Sequence, residues 1–283
     1  MSELPADLAQ QVEAALREDL GSGDVTAALV PAAQRVRGSV VTREEAVLCG
    51  RAWVDETFRQ LDVRVQLTWH AADGERLAAQ HTIFAIAGPA RPVLSGERTA
   101  LNFLQLLSGT ATVTRRFVDA VAGTGCRILD TRKTVPGLRT AQKYAVRCGG
   151  AQNYRMGLYD QVLIKENHVA AAGSLTGAIE AARRSAAGVT VEVEVETLGE
   201  LREALNAQPD IVMLDDFTLE DMRSAVALNR AHGAVTKLEV SGSVSLDAVR
   251  AIAETGVDYI SVGALTKHVR AVDLSMRLDF GGG

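Results

Sequence analysis

The spacing of hydrophobic residues changes along the chain. Residues 6–20 repeat apolar side chains at helical intervals, and the GSGDVT that follows interrupts the pattern, so a first helix is predicted there. From residue 38 to residue 93, short β-prone runs alternate with turns and enclose one helical stretch, RAWVDETFRQLD. The first part of the chain is therefore predicted to be a small α+β domain.

A different pattern begins at Arg127, after a long apolar-periodic stretch from Ser95 onward that predicts a helical connection. It repeats a short apolar run, a polar or glycine residue at the end of that run, and a helix-like stretch. The runs lie at 127–131, 161–165, 189–195, 210–215, 236–240 and 258–262. Their spacing of roughly 20 to 34 residues is typical of βα units, and six or seven parallel units suit a closed barrel better than an open doubly wound sheet.

Composition limits the class of protein. The 283 residues exceed what one hydrophobic core usually supports, which favours two domains. With 47% apolar and 23% charged residues and no apolar run long enough to span a bilayer, the chain is expected to be globular and not to bind membranes. The acidic start lacks the order of a signal peptide, so a cytoplasmic location is predicted.

The cysteines give no clear signal. Cys49, Cys126 and Cys148 are an odd number and form no C-x-x-C motif, so their spacing supports neither a disulfide framework nor a thiolate zinc site. We expect three buried or incidental thiols.

Charge is distributed unevenly. The net charge of −5 argues against a nucleic-acid partner. Residues 97–168, however, hold eleven Lys or Arg against five Asp or Glu, a local net of +6 that leaves −11 for the remainder. A basic segment inside an acidic protein indicates an anionic ligand, with a solvated basic face as the simpler alternative.

Polar residues end the six predicted strands. In βα barrels the carboxyl ends of the strands face one mouth, where active sites lie. The residues at those positions are Asp130, Thr131, Arg132, Lys133, Lys165, Glu194, Asp215, Glu239, Ser241 and Gly263. Cations gathered at one mouth repel each other unless an anion neutralises them, and the planar fork of arginine suits carboxylate or phosphate.

Two late turns point to phosphate. Residues 241–243 and 263–264 lie where a strand passes into a helix, and backbone N–H groups at such turns bind anions. Glu194 and Asp215, expected across the mouth from the cations, suit ribose hydroxyls or Mg²⁺ bound through water.

The histidines lack metal-ligand spacing, and neither a P-loop nor a G-x-S-x-G motif occurs, so NTPase and hydrolase functions have no support.

The stretch LDTRKTVPGLRTAQKYAVRCGGAQNYRMGLYDQVLIKENH, residues 129–168, resembles the central signature of the quinolinate phosphoribosyltransferases. The similarity continues in order through LREDLGSGDVT, GERTALNFLQLLSGTAT, VEVEVETL, VMLDDF, KLEVSGSVS and DYISVGALTK. It implies an α/β fold: an N-terminal α/β open-faced sandwich domain with its linker helix over residues 1–109, then an incomplete α/β barrel of six to seven units over 110–275, then a tail over 276–283.

The resemblance also implies an activity. Members of this family transfer the 5-phosphoribosyl group of phosphoribosyl pyrophosphate to the ring nitrogen of quinolinate and release its 2-carboxylate as CO₂. The other products are nicotinate mononucleotide and pyrophosphate, in a step of NAD synthesis. Mg²⁺ is expected to enter with the substrate, near Glu194 and Asp215, and the chain is expected to form a homodimer or a larger assembly.

Site residues follow from the resemblance one by one. Lys133, Glu194 and Asp215 take the catalytic roles, and Arg98 matches an arginine that the neighbouring subunit contributes. The expected substrate-binding residues are Arg98, Thr131, Arg132, Lys133, Tyr154, Arg155, Lys165, Glu194, Asp215, Ser241, Gly242, Ser243, Val262, Gly263 and Ala264. Of these, Arg132, Arg155 and Lys165 are expected to hold the quinolinate carboxylates, and the last six to hold the 5-phosphate.

One position departs from the family. Between Asn153 and Arg155, where the family usually has histidine, this chain has Tyr154. A tyrosine donates a hydrogen bond but carries no positive charge near neutral pH, so the change bears on substrate affinity more than on reaction type. Two alternatives stay open: a related paralogue associated with molybdenum transport that uses another acceptor, and a non-catalytic barrel that binds phosphoribosyl pyrophosphate.

Overall fold

The computed structural model of the chain describes residues 3–281. They form two compact units. The first gathers the residues up to Arg115, residues 134–150 and the residues from Leu265 on, and the second consists of residues 116–133 and 151–264. Gly282 and Gly283, at the end of the predicted tail, lie outside the described residues.

The first unit is built on a four-stranded antiparallel sheet in the order β12-β1-β5-β3. The bounds of its strands are β1 Arg35–Thr42, β3 Gln66–Trp69, β5 Thr82–Pro89 and β12 Leu274–Asp279, and a separate short ladder joins β2 Ala46–Val47 to β4 Arg76–Leu77. Its helices are α1 Leu8–Leu20, α2 Arg51–Leu61, the greater part of α3 Ala90–Ala120, α4 Arg139–Cys148 and the end of α10 Ala264–Lys267.

The core of this unit lies on one face of the sheet. Val36 and Val40 of β1 are buried at even spacing, as the two-residue period of a strand requires. They belong to one apolar cluster with Phe58 of α2 and with Leu101 and Leu104 of α3. The predicted small α+β domain with an open-faced sandwich is therefore confirmed.

Three features differ from the expected domain borders. The border at residue 109 falls inside α3, which runs unbroken for 31 residues. Helix α4 belongs to the first unit because Ala141, Tyr144 and Ala145 pack in one apolar cluster with α1. Residues 276–279, expected to be part of a tail, complete β12, which pairs with β1 along six residues. Local hydrophobic periodicity does not report such pairing between distant segments.

The second unit is a parallel sheet of six strands. Its order is β6-β11-β10-β9-β8-β7. The bounds are β6 Arg127–Leu129, β7 Val162–Ile164, β8 Val191–Val195, β9 Ile211–Asp215, β10 Lys237–Ser241 and β11 Tyr259–Ser261. The helices are α5 Glu166–Ala172, α6 Leu175–Ser185, α7 Leu198–Ala207, α8 Leu219–Ala231 and α9 Leu246–Ala253. Five of the six strands fall within the predicted runs, and β10 extends one residue beyond its run, to Ser241.

The sheet curls without closing. The last strand, β11, pairs with the first, β6, from Tyr259↔Arg127 to Ser261↔Leu129. Between β6 and β7, the described residues contain no ladder, and a single bridge joins Leu129 to Gln152. The incomplete α/β barrel is confirmed, whereas the closed barrel favoured by unit number alone is wrong. The gap lies where the chain forms α4 and an irregular loop instead of a regular βα unit.

Caps explain where the barrel helices begin. Ser174, Thr197, Thr218 and Ser245 each accept a hydrogen bond from the backbone N–H three residues later. A reciprocal capping box forms at Thr197 with Glu200, and the Thr218 hydroxyl also donates to Asp221 at 2.6 Å. Among the residues that the structure describes, no helix combines the length and the apolar surface needed to cross a bilayer.

Gly109 provides a test of the packing inside the first unit. A Cβ at this position of α3 would overlap the backbone carbonyl of Arg270. We expect Gly109→Ala to lower the free energy of unfolding by about 1–3 kcal/mol, since the obstacle is backbone and cannot rotate away. The control is Gly199→Ala in α7, where the atom nearest to an added Cβ is Thr197 Oγ1, at 3.7 Å. This substitution should be neutral or stabilising by up to about 1 kcal/mol, because alanine reduces the backbone freedom of the unfolded chain. Denaturant midpoints followed by circular dichroism measure both, and equal midpoints would contradict the packing described.

Candidate active site

The carboxyl ends of the parallel strands place the predicted residues along one edge of the second unit. Lys165 follows β7, Glu194 lies near the end of β8, and Asp215 ends β9. Next to it, Ser241 ends β10 in direct register with Asp215. The segments 131–133 and 262–264 follow the paired strands β6 and β11. All the predicted site residues except Arg98 lie in this unit.

Lys165 and Glu194 form an ion pair. Lys165 Nζ lies 2.5 Å from Glu194 Oε2, and the side chain of Lys165 is 48% exposed while that of Glu194 is 15% exposed. The two strands are neighbours, with Ile164 opposite Val193, so the residues that follow meet side by side. The expectation that the acids stand across the mouth from the cations is wrong for this pair. In this pair the carboxylate neutralises the lysine.

Asp215 lies close to several of these charges. Burial raises the pKa of Asp215 above its usual range, and the neighbouring carboxylates of Glu194 and Asp216 raise it further. Lys165 and Lys133 act in the opposite direction. Asp215 therefore lies within electrostatic reach of both predicted lysines, and a further cation at this point would favour its charged form.

The two predicted phosphate turns are closely packed. A Cβ added to Gly263 would lie 3.1 Å from Lys133 Cδ and 3.5 Å from Thr131 Oγ1, so the turn after β11 touches the segment after β6. Gly242 has φ +136°, a conformation that favours glycine, and an added Cβ would lie 3.0 Å from Asp216 Oδ1. Glycine at both places leaves the backbone open to a ligand.

A buried aspartate holds the loop that carries Tyr154 and Arg155. Asp130 is fully buried and accepts hydrogen bonds from the Tyr154 backbone N–H at 2.8 Å and from Asn153 Nδ2 at 2.7 Å. The guanidinium of Arg155 lies 5.7 Å from the centre of the Tyr154 ring and donates to the Gln161 carbonyl at 3.2 Å. Tyr154 thus supports Arg155 from one side. The side chain of Asp130 acts on the loop rather than facing the mouth.

Beneath this loop the Tyr154 hydroxyl donates to Glu192 Oε2 at 2.6 Å. Gln161 Nε2 donates to the same oxygen at 2.6 Å. Burial raises the pKa of the tyrosine, and the adjacent carboxylate adds to the effect, so the hydroxyl remains a donor. Tyr154 is therefore anchored to Glu192, inside β8, rather than at the strand ends.

Glu192 lies beside a second buried acid, Glu239, which accepts from Ser261 Oγ at 2.5 Å. Both side chains are fully buried, and Glu192 Oε1 and Glu239 Oε2 have no hydrogen-bond donor among the described residues. Two such oxygens form a hydrogen bond with each other only when one of the carboxyl groups carries a proton. Burial raises the pKa of Glu192 to about 7, and burial together with Glu192 raises that of Glu239 well above its usual range. The pair therefore shares a proton near neutral pH.

Glu192 was not among the predicted site residues. Its signal is the alternation in VEVEVE, which places Glu192 and Glu194 on the same face of one strand. His168 lies close to Lys165 in the sequence. It has a structural role, because its Nδ1 accepts the Lys165 backbone N–H at 3.0 Å. Arg98 is exposed on α3 in the first unit and is not among the groups gathered at the strand ends.

The shared proton predicts how stability depends on pH. A glutamate in the unfolded chain titrates near 4.3, and Glu192 titrates at about 7 in the folded chain, so the folded state binds more protons between these values. The contribution of Glu192 to the free energy of unfolding is therefore largest below about pH 4.3. It decreases by about 3 kcal/mol as pH rises through 7. The amide of Glu192→Gln donates to Glu239 and accepts from Tyr154, so this variant should lose that slope.

Thermal midpoints between pH 5 and pH 8.5 measure the effect. The matched control is Glu196→Gln, an exposed position on the same segment, which should retain the wild-type slope. A Glu192→Gln variant with an unchanged slope would show that the pair does not hold the proton.

Comparison with known proteins places the chain among a group of enzymes. The family model described as "Quinolinate phosphoribosyl transferase, N-terminal domain" matches residues 24–108, and the model described as "Quinolinate phosphoribosyl transferase, C-terminal domain" matches residues 110–277. The chain is 44% identical over 273 residues to the nicotinate-nucleotide pyrophosphorylase [carboxylating] of Mycobacterium leprae, covering 94% of this chain and 95% of that one.

Two further matches agree with this. The probable nicotinate-nucleotide pyrophosphorylase [carboxylating] of Bacillus subtilis is 43% identical over 260 residues, covering 92% of this chain and 89% of that one. The solved structure of the nicotinate-nucleotide pyrophosphorylase from Francisella tularensis superposes with a TM-score of 0.92 at 46% identity and covers 98% of both chains.

Proposed function

The chain belongs to the quinolinate phosphoribosyltransferase family, and on that premise we propose that it transfers the 5-phosphoribosyl group from phosphoribosyl pyrophosphate to the ring nitrogen of quinolinate with loss of CO₂. The enzyme is a pentosyltransferase of NAD synthesis, and its other products are nicotinate mononucleotide and pyrophosphate. The observation that carries this function is the gathering of cationic and acidic side chains at the strand ends of the unit that the C-terminal family model spans.

Quinolinate carries two adjacent carboxylates, which the cations around the gap in the barrel suit. We assign them to Arg132, Arg155 and Lys165. The fork of each arginine binds a carboxylate through two hydrogen bonds, and the Arg155 fork is supported by the Tyr154 ring. Lys165 is held by Glu194 until a substrate carboxylate competes for it. Binding the dianion therefore also frees Glu194 for the second substrate.

The 5-phosphate of phosphoribosyl pyrophosphate fits the two glycine turns. Ser241, Gly242 and Ser243 form one of them, and Val262, Gly263 and Ala264 form the other. Backbone N–H groups at such turns bind phosphate, and the glycines keep the approach open. Lys133 lies against Gly263, together with Thr131, and also within electrostatic reach of Asp215. We therefore place Lys133 between the phosphate and the ribose.

Glu194 and Asp215 offer the oxygen ligands that Mg²⁺ prefers. An ion that arrives on the substrate would be held here through water rather than by a cage of protein ligands. Bound there, Mg²⁺ would take up negative charge on the pyrophosphate leaving group. A cation next to Asp215 would also offset the effect of burial on the pKa of that carboxyl.

The chemistry needs no protein nucleophile. Departure of pyrophosphate gives the anomeric carbon oxocarbenium character, which the carboxylates of Glu194 and Asp215 stabilise. The cations hold the quinolinate nitrogen next to that carbon, so that the bond forms within a preassembled pair. Once the ring nitrogen is quaternary, the bond between C2 and its carboxylate breaks, the positive nitrogen stabilises the electron pair left on C2, and C2 takes a proton from solvent. Lys133, Glu194 and Asp215 are the catalytic residues on this account.

Arg98 extends the site beyond one chain. Its side chain is exposed on α3, outside the unit that holds the other site residues. We propose that the enzyme is a homodimer or a larger assembly in which Arg98 reaches the quinolinate of a neighbouring subunit.

The molybdenum-associated paralogue and the non-catalytic barrel are not favoured, because relatives matched over nearly the whole chain are named as carboxylating enzymes. The cytoplasmic location stays a prediction.

The activity can be tested by following CO₂. Purified protein with quinolinate, phosphoribosyl pyrophosphate and Mg²⁺ should release one CO₂ per nicotinate mononucleotide formed. Arg155→Ala should raise the KM for quinolinate about 10- to 100-fold, since a charge-assisted hydrogen bond is worth about 1.5–3 kcal/mol. Arg116→Ala, which removes an exposed arginine of α3, should leave KM unchanged. Wild-type protein that binds neither substrate and releases no CO₂ would contradict the function.

The shared site predicts complementation between inactive variants. Arg98→Ala and Lys165→Ala should each be inactive alone. A mixed dimer of the two carries one doubly damaged site and one intact site, so an equal mixture should recover up to about a quarter of wild-type activity. Native mass spectrometry confirms that subunits have exchanged. Exchange without any recovery would show that Arg98 serves its own subunit.

A further inference from the structure

Two of the three cysteines meet an acidic side chain inside the first unit. The Sγ atoms of Cys49 and Cys148 and a carboxylate oxygen of Asp73 all lie within 4.8 Å of one another. A tetrahedral ion with bonds of about 2.0–2.3 Å keeps its donor atoms about 3.3–3.8 Å apart. Small side-chain movements would therefore bring the three donors into the geometry of a metal site.

These donors come from separate elements. Cys49 lies just before α2, Asp73 in the turn between β3 and β4, and Cys148 at the end of α4. The distances in sequence explain why cysteine spacing gives no metal motif. The fold brings the groups together because α4 belongs to the first unit, where it shares an apolar cluster with Trp53 of α2.

Asp73 is held in place by three hydrogen bonds. Its Oδ1 accepts the backbone N–H groups of Gly50 at 3.1 Å and Arg51 at 3.3 Å, at the start of α2. Its Oδ2 accepts from the Tyr144 hydroxyl at 2.8 Å. Tyr144 lies one helical turn before Cys148, so its hydroxyl holds Asp73 close to that thiol. Outer contacts of this kind orient the ligands of protein metal sites, and Oδ2, which accepts a single hydrogen bond, retains a lone pair for an ion.

The surroundings are those of a buried site, in which three protein donors leave the fourth position of a tetrahedral ion to water. Cys49 is fully buried and Cys148 is 9% exposed, among apolar neighbours that include Leu107 and Ala111. A thiolate or carboxylate in such a place is unstable unless a cation accompanies it. Cysteine sulfur selects zinc and similar borderline-soft ions over Mg²⁺ and Ca²⁺. Arg51 and Arg147 lie close enough to balance the remaining negative charge.

We propose that Cys49, Cys148 and Asp73 bind one Zn²⁺ ion, with the Tyr144 hydroxyl orienting the ligands. Each thiol loses its proton to solvent as its sulfur bonds to the metal, so no oxidant or reductant takes part. The ion links the start of α2 to the end of α4 and stabilises the first unit. It takes no part in phosphoribosyl transfer, and its presence does not depend on the proposed function.

Cobalt provides the test, because Co²⁺ takes the place of Zn²⁺ and absorbs light when bound to thiolate. The full-length protein, reduced and treated with a chelator, is titrated with Co²⁺. We expect one ion per chain and a thiolate-to-cobalt charge-transfer band. Cys49→Ser and Cys148→Ser should lose the band, and Cys126→Ser, which removes the buried thiol of the second unit, should keep it. Asp73→Asn should weaken binding at least 10-fold.

A measurement on the wild-type protein keeps the test independent of whether the variants fold. Zn²⁺ should slow alkylation of Cys49 and Cys148, read by peptide mass spectrometry, and leave the rate at Cys126 unchanged. Equal alkylation rates with and without Zn²⁺, or a charge-transfer band that persists in a folded Cys49→Ser protein, would overturn the proposal. Failure of the reduced, folded wild-type protein to bind Co²⁺ would also overturn it.

Discussion

The site depends on the parallel register of six strands. Because every strand of the second unit runs in the same direction, the residues that end the strands meet along one edge whatever their distance in sequence. The register places Ser241 opposite Asp215 and brings Lys165 beside Glu194. A shift of one residue in any strand would turn its terminal side chain to the opposite face. The charges of the mouth are thus arranged by backbone hydrogen bonds formed inside the barrel.

A row of buried polar side chains joins two parts of this mouth. Ser261, next to the phosphate turn, donates to Glu239; Glu239 lies beside Glu192; and Glu192 accepts from Tyr154, next to Arg155. A low dielectric makes each hydrogen bond strong and makes an unpaired member costly, so the row tolerates few changes. Tyrosine suits this place because its hydroxyl reaches the buried acid and its ring lies beside the guanidinium.

Patterns of neighbouring residues in the sequence predicted the features that depend on neighbouring residues alone. The six apolar runs predicted from Arg127 onward are six strands. The same pattern placed Lys165, Glu194 and Asp215 at the ends of neighbouring strands, where they lie, and their roles in the site stay a prediction. Contacts between distant segments were not predictable in this way. The direct pairing of Lys165 with Glu194, the support from Asp130 and Glu192, the place of α4 and the meeting of Cys49 with Cys148 all depend on which elements pack together.

The pairing of β12 with β1 has a consequence for biosynthesis. Strand β1 ends at Thr42, yet its edge partner begins at Leu274, and the barrel strands lie between them in the chain. The ribosome releases β1 long before β12, so the sheet of the first unit stays one strand short while the six parallel strands are made. The barrel can complete its ladders first, and the sheet is finished only when residue 279 emerges. The sheet that contains β1 is therefore among the last parts of the protein to be completed, although β1 is synthesised before the barrel strands.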